Sequence, residues 1–157
     1  MRIMPTPAAH REHIAPERLL APYPDDIRAI AGTLRSVVRH AVPGAIERVR
    51  PGWLLIGYDL PIGRRTTYFA YIAPEPIHCH LGFAYGVAMA DPDRLLEGAH
   101  LGLRQVRYLT YRPGQAVPEA ACHALVLEAA RVAAMSRDQR SALVLDRAWA
   151  PPPSVAD

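Results

Sequence analysis

Pro76-Ile77-His78-Cys79-His80-Leu81-Gly82-Phe83-Ala84-Tyr85-Gly86-Val87-Ala88-Met89-Ala90 lies near the middle of this 157-residue chain and reads as a strand. Side chains alternate across a strand. Ile77, Cys79, Leu81 and Phe83 therefore share one face, and His78, His80, Gly82 and Ala84 the other. The first face asks for a core. The second carries two imidazoles two residues apart, about 6.5–7 Å along a strand. Gly82 and Gly86 mark bends or a bulge. The His-Cys-His triplet invites a metal reading, but alternation turns Cys79 away from both histidines, so the three cannot form one site.

Strand signals continue on both sides. Ala45–Arg50 is a short strand ended by Pro51-Gly52, and Trp53–Asp59 alternates Trp53, Leu55 and Gly57 with Leu54, Ile56 and Tyr58. Pro61–Arg65 is a turn. Thr66–Ile72 follows, with Phe69 and Tyr71 on one face and Tyr68, Ala70 and Ile72 on the other. Both faces are apolar, as in a central strand covered on each side. After the opening stretch, Asp91 is placed to cap a short helix over Pro92–Leu96. Glu97–Gly102 is a loop, and Arg104–Arg112 is the last strand.

Helices flank the strands. Asp25 and Asp26 suit the positive end of a helix dipole. Ile27, Ile30, Ala31, Leu34, Val37, Val38 and Ala41 then recur at helical spacing. Arg28, Arg35 and Arg39 fall off this stripe and are expected in solvent. His40 suits the helix C-terminus, and Pro43-Gly44 stops the run. A second helix is expected from Pro118 to about Met135, with Ser136–Arg147 as a further helical piece. Pro5, Pro7, Pro16, Pro22 and Pro24 keep the first residues irregular apart from a helical turn within His13–Leu20. His10 and His13 have an i, i+3 spacing, for which a solvated arm is the plainer reading.

Helix, hairpin-connected strands and helix predict an α+β two-layer sandwich. Its antiparallel sheet should have about five or six strands, with the N- and C-terminal helices on one face. The expected divisions are a proline-rich arm (1–23), an α+β domain (24–136) and a C-terminal extension (137–157).

Half of the residues are apolar and 21% are charged, a globular composition. No membrane span is expected, because no apolar run reaches about 18 residues. Met1-Arg2-Ile3-Met4-Pro5 lacks the apolar core of a signal peptide, so a cytoplasmic location is expected. There Cys79 and Cys122 would stay thiols. All 18 basic residues are arginine, and the chain has neither lysine nor asparagine. That excludes a Schiff-base lysine, a Walker phosphate loop and a Cys-His-Asn set. The formal charge of +3 is mild, and nucleic acid is not an expected partner.

Several short patterns fall in the order found in the bacterial YdhG-like family, a domain of unknown function with a frataxin-related fold. Pro43-Gly44-Ala45-Ile46-Glu47 resembles its P-x-x-x-E entry into the sheet. Tyr68-Phe69-Ala70-Tyr71 and His80-Leu81-Gly82-Phe83 resemble its Y-F-A and H-x-G-F strands. Leu96-Glu97-Gly98 and Gly102–Arg107 resemble its L-E-G-x-G-K-x-x-R-x-V-K segment. The resemblance covers roughly Asp25 to Val132. Where that loop has glycine and lysine, this chain has His100 and Leu101, and the charge best suited to an anion there is missing. The frataxin link implies iron handling through an acidic first helix. Here that helix continues with Arg28, Arg35 and Arg39, which disfavours a hard cation. The resemblance brings no catalytic residues.

The expected function is therefore non-catalytic: binding a small ligand, a partner protein or a second copy of the chain on the sheet face away from the helices. His78, His80, Tyr68, Tyr108, Arg104 and Arg107 are the candidate ligand-binding residues. His78 and His80 are the only metal candidates, and they need a third ligand from a neighbouring strand. No cofactor is expected. Cys79 reads as a small core residue. Cys122 and His123 face about 100° apart on a helix and do not form a nucleophile–base pair.

Overall fold

A computed structural model describes residues 13–149. In chain order it contains α1 (Pro16–Leu20), α2 (Asp25–Ala41), β1 (Ile46–Arg50), β2 (Leu55–Ile62), β3 (Arg65–Pro74), β4 (Cys79–Phe83), β5 (Arg107–Tyr111), α3 (Glu119–Ala133) and α4 (Arg137–Trp149). The sheet is an antiparallel meander in the order β1-β2-β3-β4-β5. Glu97 adds one isolated bridge to Tyr108, on the outer edge of β5. This is the α+β architecture expected from the sequence. His10 and the rest of the first 12 residues lie outside the described residues.

One line of cross-strand neighbours builds the core. Val49, Ile56, Ile72, Leu81 and Leu109 lie side by side across all five strands and are buried. Complete burial of such a side chain stabilises by about 1.5–3 kcal/mol. The facing layer is α2 and α3. All seven stripe residues of α2 are buried, with Ile27, Leu34 and Val38 wholly inside. α3 contributes Cys122, Leu125, Val126, Ala129, Val132 and Ala133. The Tyr111 hydroxyl of β5 lies 3.1 Å from the Cys122 sulfur, which places α3 over that part of the sheet. At the end of α2, the His40 Nδ1–H donates to the Ser36 carbonyl at 2.7 Å, the structural role expected of it.

Several local expectations fail for identifiable reasons. Arg35 is not in solvent: its side chain is only 11% exposed. It donates twice to Glu47, at 2.8 and 3.1 Å, and once to Glu17 at 3.1 Å. Tyr58 donates to the same Glu47 carboxylate at 2.8 Å, so α2, β1 and β2 meet at one anion, and Arg35 ties in α1 through Glu17. Ile77 is 68% exposed, because a turn closed by Glu75 N–H and the His78 carbonyl delays β4 until Cys79. Trp53 lies in a 3₁₀ turn and Leu54 is left-handed at φ +53°, so β2 starts at Leu55. Pro92–Leu96 forms no helix. Asp91 does accept the Leu95 and Leu96 N–H groups, but Arg94 at φ +53° breaks the turn.

The main departure is a bulge in β3. Tyr58 pairs with Ala70, whereas Asp59 pairs with Tyr68, so Phe69 is an extra residue. Phe69 and Ala70 both end up in the core. Strict alternation would put Tyr68 and Tyr71 on opposite faces. The bulge puts them on the same one, away from the helices.

Candidate functional site: the open sheet face

The sheet face turned away from α2 and α3 carries a row of rings. At its β1 end, the Arg50 guanidinium sits 4.6 Å from the centre of the Tyr68 ring. Arg50 also donates to both Asp59 carboxylate oxygens, at 3.0 and 3.2 Å. Tyr68 and Tyr71 are stacked, 6.4 Å apart and 16° from parallel. Further along the sheet, Tyr108 meets His80 edge-on at 4.9 Å, and His80 meets His78 at 4.5 Å. The face thus carries a cation, three tyrosines and two imidazoles, supplied by β1, β3, β5, β4 and the residue before β4.

Two glycines make the row possible. Gly57, Tyr71, Gly82 and Tyr108 are cross-strand neighbours on β2, β3, β4 and β5. A Cβ on Gly82 would fall inside the Tyr71 ring, and one on Gly57 would meet Arg50 and Tyr68. The Tyr71 and Tyr68 rings therefore lie down against the sheet backbone instead of standing clear of it.

Burial sets the charge state of this face. It raises the Tyr68 hydroxyl above the ordinary tyrosine range, with Tyr71 adding to the effect and Arg50 opposing it. Burial also raises Tyr71, helped by Tyr108. The same loss of water lowers His80, and the neighbouring His78 lowers it further. At pH 7 the platform is therefore neutral and aromatic over Tyr68, Tyr71 and His80. The Thr110 hydroxyl lies 3.0 Å from His80 Nδ1 and fixes that ring. Among the described residues, His78 Nδ1 is buried without a hydrogen-bond partner, as is Arg50 Nε. An unpartnered buried nitrogen is costly, and a ligand that supplied its partner would recover that cost.

Four of the six candidate residues come together here: His78, His80, Tyr68 and Tyr108. Arg107 does not. It pairs with Phe83 on the helix side of the sheet, and its Nη1 donates to the Leu103 and Val106 carbonyls. Arg104 precedes β5 in an exposed loop beside α4. Tyr71, Arg50, Asp59 and Gly57 complete the face and lie outside those six candidates. The signal for Tyr71 would have been the bulge, which the alternation of Thr66–Ile72 conceals.

Among the described residues, no group of three His, Cys, Asp or Glu is placed to hold a metal ion. Cys79 pairs with Pro74 and Tyr111 in the core, where burial pushes its thiol up to about 12. It is in no state to act as a nucleophile. No helix among the described residues is long and apolar enough to cross a membrane. Comparison with family models, curated proteins and solved structures gave no match.

Proposed function

We propose that this chain is a non-catalytic binding domain of YdhG-like, frataxin-related type. Its open sheet face takes a small, flat, hydrogen-bonding molecule. The observation that carries this reading is the Tyr68–Tyr71 stack and the Tyr108–His80–His78 cluster on one sheet face, with the Tyr71 ring lying over Gly82 and His78 Nδ1 buried and unpartnered among the described residues. A planar ligand can stack along such a row, and one polar atom at its edge can reach His78. Iron handling has less support, because Arg28, Arg35 and Arg39 line α2 where a cation would need carboxylates. The proposed setting is the cytoplasm, where the free, buried thiols of Cys79 and Cys122 remain reduced.

NMR screening against a library of planar heteroaromatic fragments tests the reading. Binders should shift the imidazole signals of His78 and His80, and Tyr108→Ala should weaken them about tenfold. A library that moves neither imidazole removes the proposal. Light scattering covers the other occupant: a dimer that Tyr108→Ala converts to monomer would assign the face to a second copy of the chain.

A further inference from the structure

A second site lies between α4 and the connection from β4 to β5, and it shares no residue with the open face. The cleft has a volume of about 930 Å³, within the range of about 300–1,000 Å³ usual for small-molecule sites. On its α4 wall are Arg137, Arg140, Ser141, Val144 and Leu145. Their spacing of three, four, seven and eight residues places them on one helical face. Yet α4 buries no residue completely. Its inward face stands off from the body and leaves room beneath it.

The chemistry of the walls is specific. Three arginines line the cleft, Arg104 from the loop and Arg137 and Arg140 from α4, with no carboxylate among the described lining residues. The Arg140 guanidinium is held 4.0 Å from the centre of the Tyr85 ring and donates to the Met135 carbonyl. Arg104 and Arg137 are exposed and make no ion pair among the described residues. The rest of the lining is mostly aliphatic and includes Val87, Val144 and Leu145. At its rim Leu145 is 65% exposed and Leu103 38% exposed.

We propose that this cleft binds an amphiphilic organic anion. Arg104 and Arg137 grip its carboxylate or phosphate head, and Arg140 adds a third positive charge. The aliphatic body lies on Val87, Val144 and Leu145. Guanidinium groups match both head groups with paired hydrogen bonds. Unopposed positive charge in a concave site favours an anion over a neutral ligand of the same shape. Covering Leu103 and Leu145 removes apolar surface from water.

Calorimetry on the full chain with sodium decanoate and decyl phosphate, below micelle formation, tests this. Decanol and inorganic phosphate serve as comparators. At least one amphiphilic anion should bind, and the pair separates a carboxylate preference from a phosphate one. Both comparators should bind about tenfold more weakly or worse. Arg104→Ala with Arg137→Ala, both at exposed positions, should keep its circular dichroism spectrum and lose about tenfold in affinity. Val144→Glu, which places a carboxylate among the aliphatic residues, should abolish binding independently. Tyr85 ring signals should shift on binding while those of His78 and His80 stay in place. The proposal is overturned if neither anion binds below about 1 mM, or if decanol or inorganic phosphate binds as tightly. Unchanged affinity in the arginine variant, or shifts confined to the histidines, would overturn it equally.

Discussion

Glu47 accepts two hydrogen bonds from Arg35 and one from the Tyr58 hydroxyl. Burial by itself would raise its pKa, but these bonds and the Arg35 charge outweigh burial, and the net shift is downward. A carboxylate whose folded pKa is depressed contributes stability that is present above the unfolded value. That stability is lost as pH falls through the folded one. Urea unfolding should therefore show stability falling as pH drops below the ordinary value of 4.5. Glu47→Gln should cost about 2 kcal/mol at pH 7, since Arg35 loses its buried anionic partner and keeps an ion pair only with the exposed Glu17. It should also flatten that acid limb; an unchanged limb would mean the pH dependence lies elsewhere. The helical stripe of α2 was legible residue by residue. Arg35 was not, because periodicity tells which residues face inward but not that β1 passes along the edge of the stripe. The His78 and His80 pairing was legible, since two residues apart on a strand means the same face.

Within single elements, the bulge in β3 and the glycine of β4 act together. The bulge turns Tyr71 onto the open face, and Gly82 gives its ring somewhere to lie. Gly82→Val would put a side chain where that ring is. The ring would have to stand up or the strands move, at a cost of about 1–3 kcal/mol. The double variant Gly82→Val with Tyr71→Ala should regain most of that loss in urea unfolding. If it does not, the clash with the Tyr71 ring is not what makes glycine necessary at position 82. The strands were found in sequence by alternation, and β4 was placed correctly at its core. The bulge was missed for a physical reason. Both faces of Thr66–Ile72 are apolar, so a one-residue slip leaves the pattern looking the same. The starts of β2, β4 and β5 moved inward because the left-handed Leu54, the Glu75–His78 turn and a bend at Arg104 took residues from the strands. By contrast, β2 runs past Asp59 to Ile62 and leaves only Gly63 and Arg64 of the expected Pro61–Arg65 turn between β2 and β3.

At the scale of the molecule, α2, α3 and the sheet share one core, whereas α4 is attached by a few contacts. Arg140 stacks on Tyr85, Arg147 donates to the Val87 carbonyl at 3.1 Å, and Val144 packs at the edge of the core. A chain ended at Ser136 should therefore still unfold in a single cooperative transition. Its stability should fall by about 2 kcal/mol, the sum of one cation–π contact, one hydrogen bond and some apolar area. Calorimetric unfolding would check this. Loss of the transition would show that α4 belongs to the core.

The order of the long helices and the strands, the core-facing residues of α2, and the antiparallel sheet follow from the sequence. Each is a local pattern of period 3.6 or 2 ended by Pro, Gly or Asp. The two candidate sites depend on the tertiary structure. The ring row needs a bulge that apolar alternation hides, and it draws on five strands that meet only after the meander has formed. The cleft needs Arg104 from a loop to face Arg137 and Arg140 across a gap whose width is set by how α4 leans on the body. Local pattern places a side chain on its own element, and only packing determines what lies opposite.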